Sequence, residues 1–273
     1  GGILGSTVTA TLAQVGPSYL LLGSAALLEV AVFSVRRLSR LSETLQLRRA
    51  ARDEEKAIGG NALAGLTHVF KSVYLLNVSA YVLLFTITST FLYFPQAEIA
   101  RGSFADRAAR TAFFAQIDLL VNALTLVTQI FLTSHILRAL GVAIALVLLP
   151  VLSVLGFATL ALAPTIAILV TYQVLRRAGN FAVARPTREV LFTVVPREDK
   201  YKAKSFIDTF VYRAGDQVGA WSYGLLSFLG LGMSGIAIVA VPVSVIWMAN
   251  AWWLGRKQES AERQPLSEPV SSK

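Results

Sequence analysis

No charged residue occurs in the stretch ALGVAIALVLLPVLSVLGFATLALA, which covers Ala139–Ala163. About 20 predominantly apolar residues are enough for a helix to cross the roughly 30 Å hydrocarbon layer of a bilayer. The whole chain of 273 residues is 55% hydrophobic and only 15% charged, with a mean hydropathy of +0.60. Such a composition leaves too few polar side chains to cover a water-soluble globule of this size. We therefore predict an all-α membrane protein whose helices are solvated by lipid.

Six further windows of comparable length lie between charged residues or between Gly and Pro. These predicted spans are Ser18–Val35, Val73–Phe94, Ala112–Leu137, Thr165–Val183, Ser205–Phe228 and Met233–Leu254. The apolar stretch Gly1–Ala13 is too short to cross a bilayer, and we interpret it as the outer part of a helix. Because the chain opens on Gly1 rather than on Met and has no signal peptide pattern, we expect a fragment of a longer protein.

The spans divide the chain into four predicted regions. Residues 1–35 form the end of one transmembrane bundle, and residues 36–71 form a charged cytoplasmic connector with a short surface helix. Residues 72–255 form a six-helix transmembrane bundle, and residues 256–273 form a disordered tail rich in Ser, Glu and Pro. This order matches the later part of a twelve-helix transporter, in which two six-helix bundles are joined by a central loop.

Basic residues occur in every second connection between spans. The basic connections are 36–71, Arg138, 185–204 and 256–263, whereas Gly16-Pro17, Ala163-Pro164 and 230–232 carry no charge. Cytoplasmic loops carry the excess of Lys and Arg in membrane proteins. We therefore predict a multi-pass protein of the cell (inner) membrane with its C-terminus in the cytoplasm.

Several classes of function lack their minimal sequence elements. The chain has no cysteine, and His68 and His135 stand alone, so we predict no metal site. No phosphate loop, HExxH pair or GxSxG elbow is present, which indicates that the protein is not an enzyme and needs no cofactor. Topology and anionic lipid account for the net charge of +9, which implies no nucleic-acid partner.

One face of the predicted span Ala112–Leu137 carries polar residues at intervals of three or four positions: Asp118, Asn122, Thr125, Gln129 and Thr133. A carboxylate at the centre of a bilayer costs about 3 kcal/mol on translocon scales, so this face should turn away from lipid. The face either lines a watery cavity or only forms hydrogen bonds to neighbouring helices. Its length and its carboxylate favour the cavity.

Further charged residues lie in two of the other predicted spans. Asp208, Arg213 and Asp216 occupy the cytoplasmic half of Ser205–Phe228, where Arg213 and Asp216 are spaced to face one another on a helix. Such a pair serves either as a gate that opens and reforms or as a static contact. Arg176 and Arg177 are expected to extend to the lipid headgroups, with substrate binding as the lesser alternative.

The segment from Arg185 to Asp216, RPTREVLFTVVPREDKYKAKSFIDTFVYRAGD, carries a recognisable pattern. It resembles the signature of the ATP/ADP translocase (nucleotide transporter) family of bacteria and plastids, which is related to the major facilitator superfamily. The matching elements are Pro186-Thr187-Arg188-Glu189, Val195-Pro196, the spaced lysines Lys200, Lys202 and Lys204, Ile207-Asp208 and Arg213-Ala214-Gly215.

This resemblance implies an antiporter-like carrier with a major-facilitator-like fold, whose two bundles rock about a midplane site. Its partners would be the lipid bilayer and a small anionic solute such as a nucleotide. The residues predicted to attract or bind the anion, or to line its path, are Asp118, Asn122, Gln129, Arg185, Arg188, Lys200, Lys202 and Lys204. The residues predicted to act in the inner gate are Asp208, Arg213 and Asp216.

Two departures from the family pattern leave the substrate open. Arg188 stands where Lys is usual, and Asp216 stands where the nucleotide exchangers tend to have Lys. The loss of positive charge at Asp216 disfavours a polyphosphate, because phosphate sites depend on bonds from Lys and Arg. The alternatives are a transporter of another anionic or lipid-like solute, and a non-transporting membrane scaffold or sensor with the same fold.

Overall fold

A computed structural model describes residues 2–12, 17–49, 69–70, 72–104 and 106–263. The helices in this part of the chain are α1 (Gly2–Leu12), α2 (Pro17–Arg49), α3 (Val73–Ser103), α4 (Arg107–Phe131), α5 (Thr133–Leu162), α6 (Ile166–Gly179), α7 (Arg185–Val190), α8 (Arg197–Phe206), α9 (Tyr212–Phe228) and α10 (Met233–Arg263). Two π-helical turns, π1 (Asn180–Ala184) and π2 (Ile207–Val211), join α6 to α7 and α8 to α9. The described residues contain no β-strand.

Within the described residues, five helices are long and apolar enough to cross a membrane. They are the segment Tyr19–Arg40 of α2 together with α3, α4, α5 and α10. The prediction of an all-α polytopic helix bundle is therefore confirmed. Neither α6 nor α9 reaches this length alone, since they have 14 and 17 residues. Each is extended by its π turn and the adjoining short helix, so the helical runs are 166–190 and 197–228.

Two helices extend across the boundaries of the four predicted regions. Helix α2 continues past Val35 to Arg49, into the segment predicted to be a connector. Helix α10 continues to Arg263, into the segment predicted to be disordered, because Gln258 is fully buried and donates to Glu262. The rest of the predicted tail, most of the predicted connector and His68 lie outside the described residues.

Contacts divide the chain into two compact units. One holds α1, α2 and the segment Phe104–Gln116, in which the rings of Phe104 and Phe113 lie 5.1 Å apart. The other holds α3, the remainder of α4 and all of the later helices. All of the site residues discussed below belong to this second unit.

Close backbone approaches hold the second unit together. A Cβ atom built on Gly255 of α10 would lie 2.1 Å from Cα of Ala143 in α5. Similarly, a Cβ atom on Gly215 of α9 would lie 1.8 Å from Oγ1 of Thr86 in α3. In lipid, small residues strengthen helix association because they let two backbones approach closely. Glycine at these positions therefore sets the distance between α5 and α10 and that between α3 and α9.

Helix α5 is interrupted by Gly141, which has a φ of +77°. This conformation is open to glycine and strained for a residue with a side chain. The helix restarts directly after it, and the backbone N–H of Ala143 donates to Oε1 of Glu259 in α10 at 3.0 Å. The Glu259 carboxylate thus satisfies one of the N–H groups that the break leaves without a helical partner.

We expect Glu259→Leu to lower the free energy of unfolding by about 1 kcal/mol, the usual cost of losing a side-chain cap. The measurement is thermal unfolding of the full-length protein in detergent. Glu259→Gln is the matched control, because its side-chain carbonyl can still accept from Ala143. Equal destabilisation by the two variants would contradict the capping role.

Candidate substrate-binding cavity

Helices α3, α6 and α9, with the turn π1, line an open cavity of about 450 Å³. Volumes of this size are typical of sites for small molecules. Five aromatic residues contribute to its wall: Phe85, Tyr93, Phe94, Phe181 and Tyr212. Amide and charged side chains contribute the polar part of the wall: Gln173, Asn180, Gln217, Arg176, Arg177 and Asp216. The cavity thus combines ring faces with hydrogen-bonding and ionic groups.

Arg176 is the most deeply buried charged residue in this wall, with 3% of its surface exposed. Its guanidinium donates to the hydroxyls of Ser89, Thr88 and Ser153 at 2.9, 2.9 and 3.3 Å. A fourth bond of 3.0 Å goes to the backbone carbonyl of Phe85, whose ring centroid lies 5.0 Å from the guanidinium carbon. Three elements, α3, α5 and α6, thereby fix the orientation of this side chain.

Neutral groups make all of these bonds, and no described carboxylate forms an ion pair with Arg176. Hydroxyl and carbonyl oxygens accept from four of its five N–H groups but leave the positive charge uncompensated. An uncompensated buried charge is costly, and the cost falls when an anion binds beside it. The arrangement is therefore suited to an anionic ligand in the adjoining cavity.

The neighbouring Arg177 also lines the cavity, but its charge is compensated. Its Nη1 donates to Oδ1 of Asp118 in α4 at 2.6 Å. The side chains of Arg177 and Asp118 remain 34% and 46% exposed. Arg177 therefore carries its own counter-ion, whereas Arg176 does not.

The expectation that Arg176 and Arg177 extend to the headgroups is wrong. It assumed that the helix ends soon after these residues. Through π1 and α7 the helical run instead continues to Val190, so both arginines lie well within it. Both residues line the first cavity.

The polar stripe of α4 combines the two interpretations that the sequence left open. Asn122, Thr125 and Gln129 line a second cavity of about 500 Å³, together with Arg185. Gln129 also donates to the backbone carbonyl of Phe181 in π1 at 3.2 Å, and Thr133, which is the first residue of α5 rather than part of α4, donates to that of Ala182 at 2.8 Å. The stripe therefore lines a cavity and also binds the neighbouring helical run.

Phe181 lines both cavities. It lies in π1, and such single π turns occur frequently at functional sites. The first cavity thus adjoins a second one that contains Arg185 and the Asn122 to Gln129 part of the stripe.

The basic segment after π1 is held by ion pairs. Arg188 of α7 pairs with Asp208 of π2 at 3.2 Å, and the Arg188 side chain is only 13% exposed. Lys204 of α8 pairs with Glu189 of α7. Lys200 and Lys202 also lie on α8, and neither lines the two cavities. The structure thus brings together Arg188 and Asp208, for which the sequence predicted separate roles.

Arg213 and Asp216 lie within ion-pair distance at 3.8 Å, as their spacing on the helix predicts. The Arg213 side chain is 81% exposed, whereas Asp216 lines the first cavity. Of the three predicted gate residues, Asp216 is therefore the one that contacts the cavity directly. The roles of all three in gating stay predictions.

Sequence reasoning missed a buried pair of amides. Nε2 of Gln173 donates to Oε1 of Gln96 in α3 at 2.7 Å, and both side chains are buried. The sequence does show single amide side chains in otherwise apolar helices. Burying an amide is costly unless it has a hydrogen-bond partner, so a pairing of the two could have been predicted. Gln173 also lines the first cavity, where it adds a polar group beside Arg176.

Comparison with known proteins finds one distant similarity. The chain is 23% identical over 220 residues to ADP,ATP carrier protein 2 of Chlamydia pneumoniae. The similarity covers 71% of this chain and 40% of that protein, so the chain spans less than half the length of its relative. No family model matches the chain, and no solved structure matches it.

Proposed function

We propose that this chain is part of a secondary transporter that moves a small anionic solute across a membrane by alternating access. The observation that carries the proposal is Arg176, a buried guanidinium without a described carboxylate partner that faces a cavity between three helices. A permanent charge in a membrane bundle normally marks a substrate or ion pathway. The distant similarity to a carrier protein and the five membrane-length helices support the same conclusion.

Within this class, a nucleotide is the solute that we favour. The similar protein is named as an ADP,ATP carrier, and the segment from Arg185 to Asp216 resembles the nucleotide transporter signature. The cavity offers guanidinium groups for phosphate and aromatic faces for a base. Arginine binds phosphate in bidentate geometry, and stacking on an aromatic ring is worth about 1–3 kcal/mol per base.

One observation favours a less highly charged anion as the second candidate. The Asp216 carboxylate lines the same cavity and lies 3.8 Å from the exposed Arg213, rather than beside a buried cation. A fixed negative charge near the ligand opposes binding of a polyphosphate. This candidate keeps the transporter and changes only the solute.

The remaining parts of the proposal follow from topology. In a major-facilitator-like arrangement the six helices after the connector would form one of two rocking bundles. The Lys and Arg pattern supports an inner-membrane protein whose C-terminus and basic segment face the cytoplasm. The Arg188 and Asp208 pair, with Arg213 and Asp216, would then lie at the inner gate.

The decisive experiment is counterflow with the full-length protein in liposomes. The vesicles are preloaded with unlabelled ADP, AMP or one of a panel of other anions, and the uptake of the same solute in labelled form is followed for each solute in turn. We expect uptake that depends on nucleotide inside the vesicle. Exchange of another anion alone, by protein shown to be folded, would favour the second candidate. Absence of exchange with every anion would overturn the transport proposal.

The inner gate can be tested by charge reversal. Arg188→Asp should reduce the initial rate of counterflow about fivefold, because a pair of this exposure is worth about 1 kcal/mol and reversal adds repulsion. The double variant Arg188→Asp with Asp208→Arg should regain most of the rate. If the double variant is no faster than the single one, the pair has no role in gating.

A further inference from the structure

Two adjacent arginines line one cavity but differ in how their charges are compensated. Arg176 is bonded only to neutral oxygens, whereas Arg177 is paired with the carboxylate of Asp118. Asp118 does not itself line the cavity. The cavity therefore presents one uncompensated positive charge, that of Arg176, and a second, that of Arg177, which the Asp118 carboxylate neutralises.

The ion pair between Arg177 and Asp118 is of a kind that a ligand can replace. Both side chains are about one-third to one-half exposed. Ion pairs at such exposure contribute little to stability, so a ligand can replace this one at low cost. A phosphate group in the cavity offers Arg177 oxygens of the same charge and in bidentate geometry. The phosphate and Asp118 would therefore compete for the same guanidinium.

We propose that Asp118 is a built-in competitor of the substrate for Arg177, so that solutes with two phosphate groups displace it and solutes with one do not. The inference rests on the proposed function, since it assumes that Arg176 binds the first phosphate. A single phosphate is satisfied at Arg176. The Asp118 contact uses Nη1 of Arg177, so a second phosphate binds Nη1 and Nη2 together only when the carboxylate leaves Nη1. Asp118 thus lowers the affinity for a nucleoside diphosphate but not for a monophosphate, and it favours release of the diphosphate during exchange.

The test measures equilibrium binding of labelled ADP and AMP to the full-length protein in lipid nanodiscs. Asp118→Asn should tighten ADP binding about fivefold, equivalent to about 1 kcal/mol, and should leave AMP binding within about twofold. Glu98→Gln is the matched control. It removes one negative charge from α3 at a residue that contacts Tyr223 and lies outside the cavity wall, and both affinities should stay unchanged.

A double-mutant cycle separates displacement from a general effect of charge. In the Arg177→Gln background, Asp118→Asn should bring no gain in ADP affinity, because no guanidinium remains to be released. A gain that persists in this background would show that Asp118 acts only through its field, and would overturn the proposal. Weaker ADP binding to Asp118→Asn alone would also overturn it, because Asp118 would then orient Arg177 for the substrate.

The outcome also distinguishes this inference from the proposed function. If the wild-type protein binds both nucleotides and Asp118→Asn changes neither affinity, only the competitor role is wrong. If the wild-type protein binds neither, the nucleotide proposal fails and this inference fails with it. If the Asp118→Asn protein does not fold, the Arg177→Gln variant provides the test. We expect it to weaken ADP binding more than AMP binding. An equal loss of affinity for the two nucleotides would reject the proposal.

Discussion

Replacing Arg176 by glutamine should reduce both nucleotide binding and counterflow about a hundredfold, the cost of removing one partner from a desolvated ionic contact. Glutamine ends two atoms earlier, so its amide lies near the position of Nε and can bond to Ser153, whereas the charge and the bonds to Ser89 and Thr88 are lost. Lysine at this position restores the charge but not the four bonds of the guanidinium. We therefore expect Arg176→Lys to recover only part of the activity. Binding of labelled ADP and initial rates of counterflow measure the two effects.

The control for this experiment is Arg256→Gln. Arg256 is an exposed residue near the end of α10 whose guanidinium lies over the ring of Trp252 at 5.5 Å, outside both cavities. The substitution removes the same charge as Arg176→Gln. It should leave nucleotide binding and counterflow within about twofold of the wild-type values, as surface substitutions usually do. Monodisperse elution from a sizing column verifies folding of each variant. Wild-type binding and transport by Arg176→Gln would remove the basis for placing the substrate in this cavity.

Adding one methyl group at Gly255 should have the largest effect on stability. The new Cβ atom would lie 2.1 Å from Cα and 2.8 Å from the backbone nitrogen of Ala143. Backbone atoms cannot move aside by changing rotamer, so α5 and α10 would have to separate. We expect Gly255→Ala to lower the free energy of unfolding by about 3 kcal/mol, at the upper end for overpacked sites. Thermal unfolding of the full-length protein in detergent measures this change.

Gly224 in α9 provides the matched control, because a Cβ atom there would meet nothing within 4 Å. Gly224→Ala changes the same chemical group on another membrane helix and should leave stability unchanged or slightly improved, since alanine favours the helix. Equal thermal stability of the Gly255→Ala and Gly224→Ala proteins would mean that α5 and α10 are not packed as closely as described.

The sequence predicted the class of fold because lipid solvation is a local property. An apolar run such as Ala139–Ala163 must be helical in a bilayer, since no water is available to bond its backbone. Spacing along one helix is equally local. It placed Asp118, Asn122 and Gln129 on one face, and it brought Arg213 and Asp216 within ion-pair distance. Both kinds of prediction need only the period of the helix.

Helix ends and partner choice were less accessible from the sequence. Arg176 and Arg177 were assigned to the headgroups because a basic residue near the end of an apolar run usually extends there. The structure instead continues that run through π1 to Val190. Helix α10 similarly continues to Arg263, because Gln258 is buried within the second unit. In each case neighbouring helices decided where the helical run ends.

The sequence by itself determined that the chain forms a lipid-solvated bundle of helices with polar residues along one face of α4. Only the tertiary structure decided which charges are compensated. Arg176 draws its bonds from Phe85, Ser89 and Ser153, which belong to other helices, whereas the adjacent Arg177 meets Asp118. The sequence gives no reason to assign different roles to two neighbouring arginines, because its periodicity describes one helix and not the contacts of that helix with others. The difference between them arises where several helices pack together, and there it creates the candidate anion site.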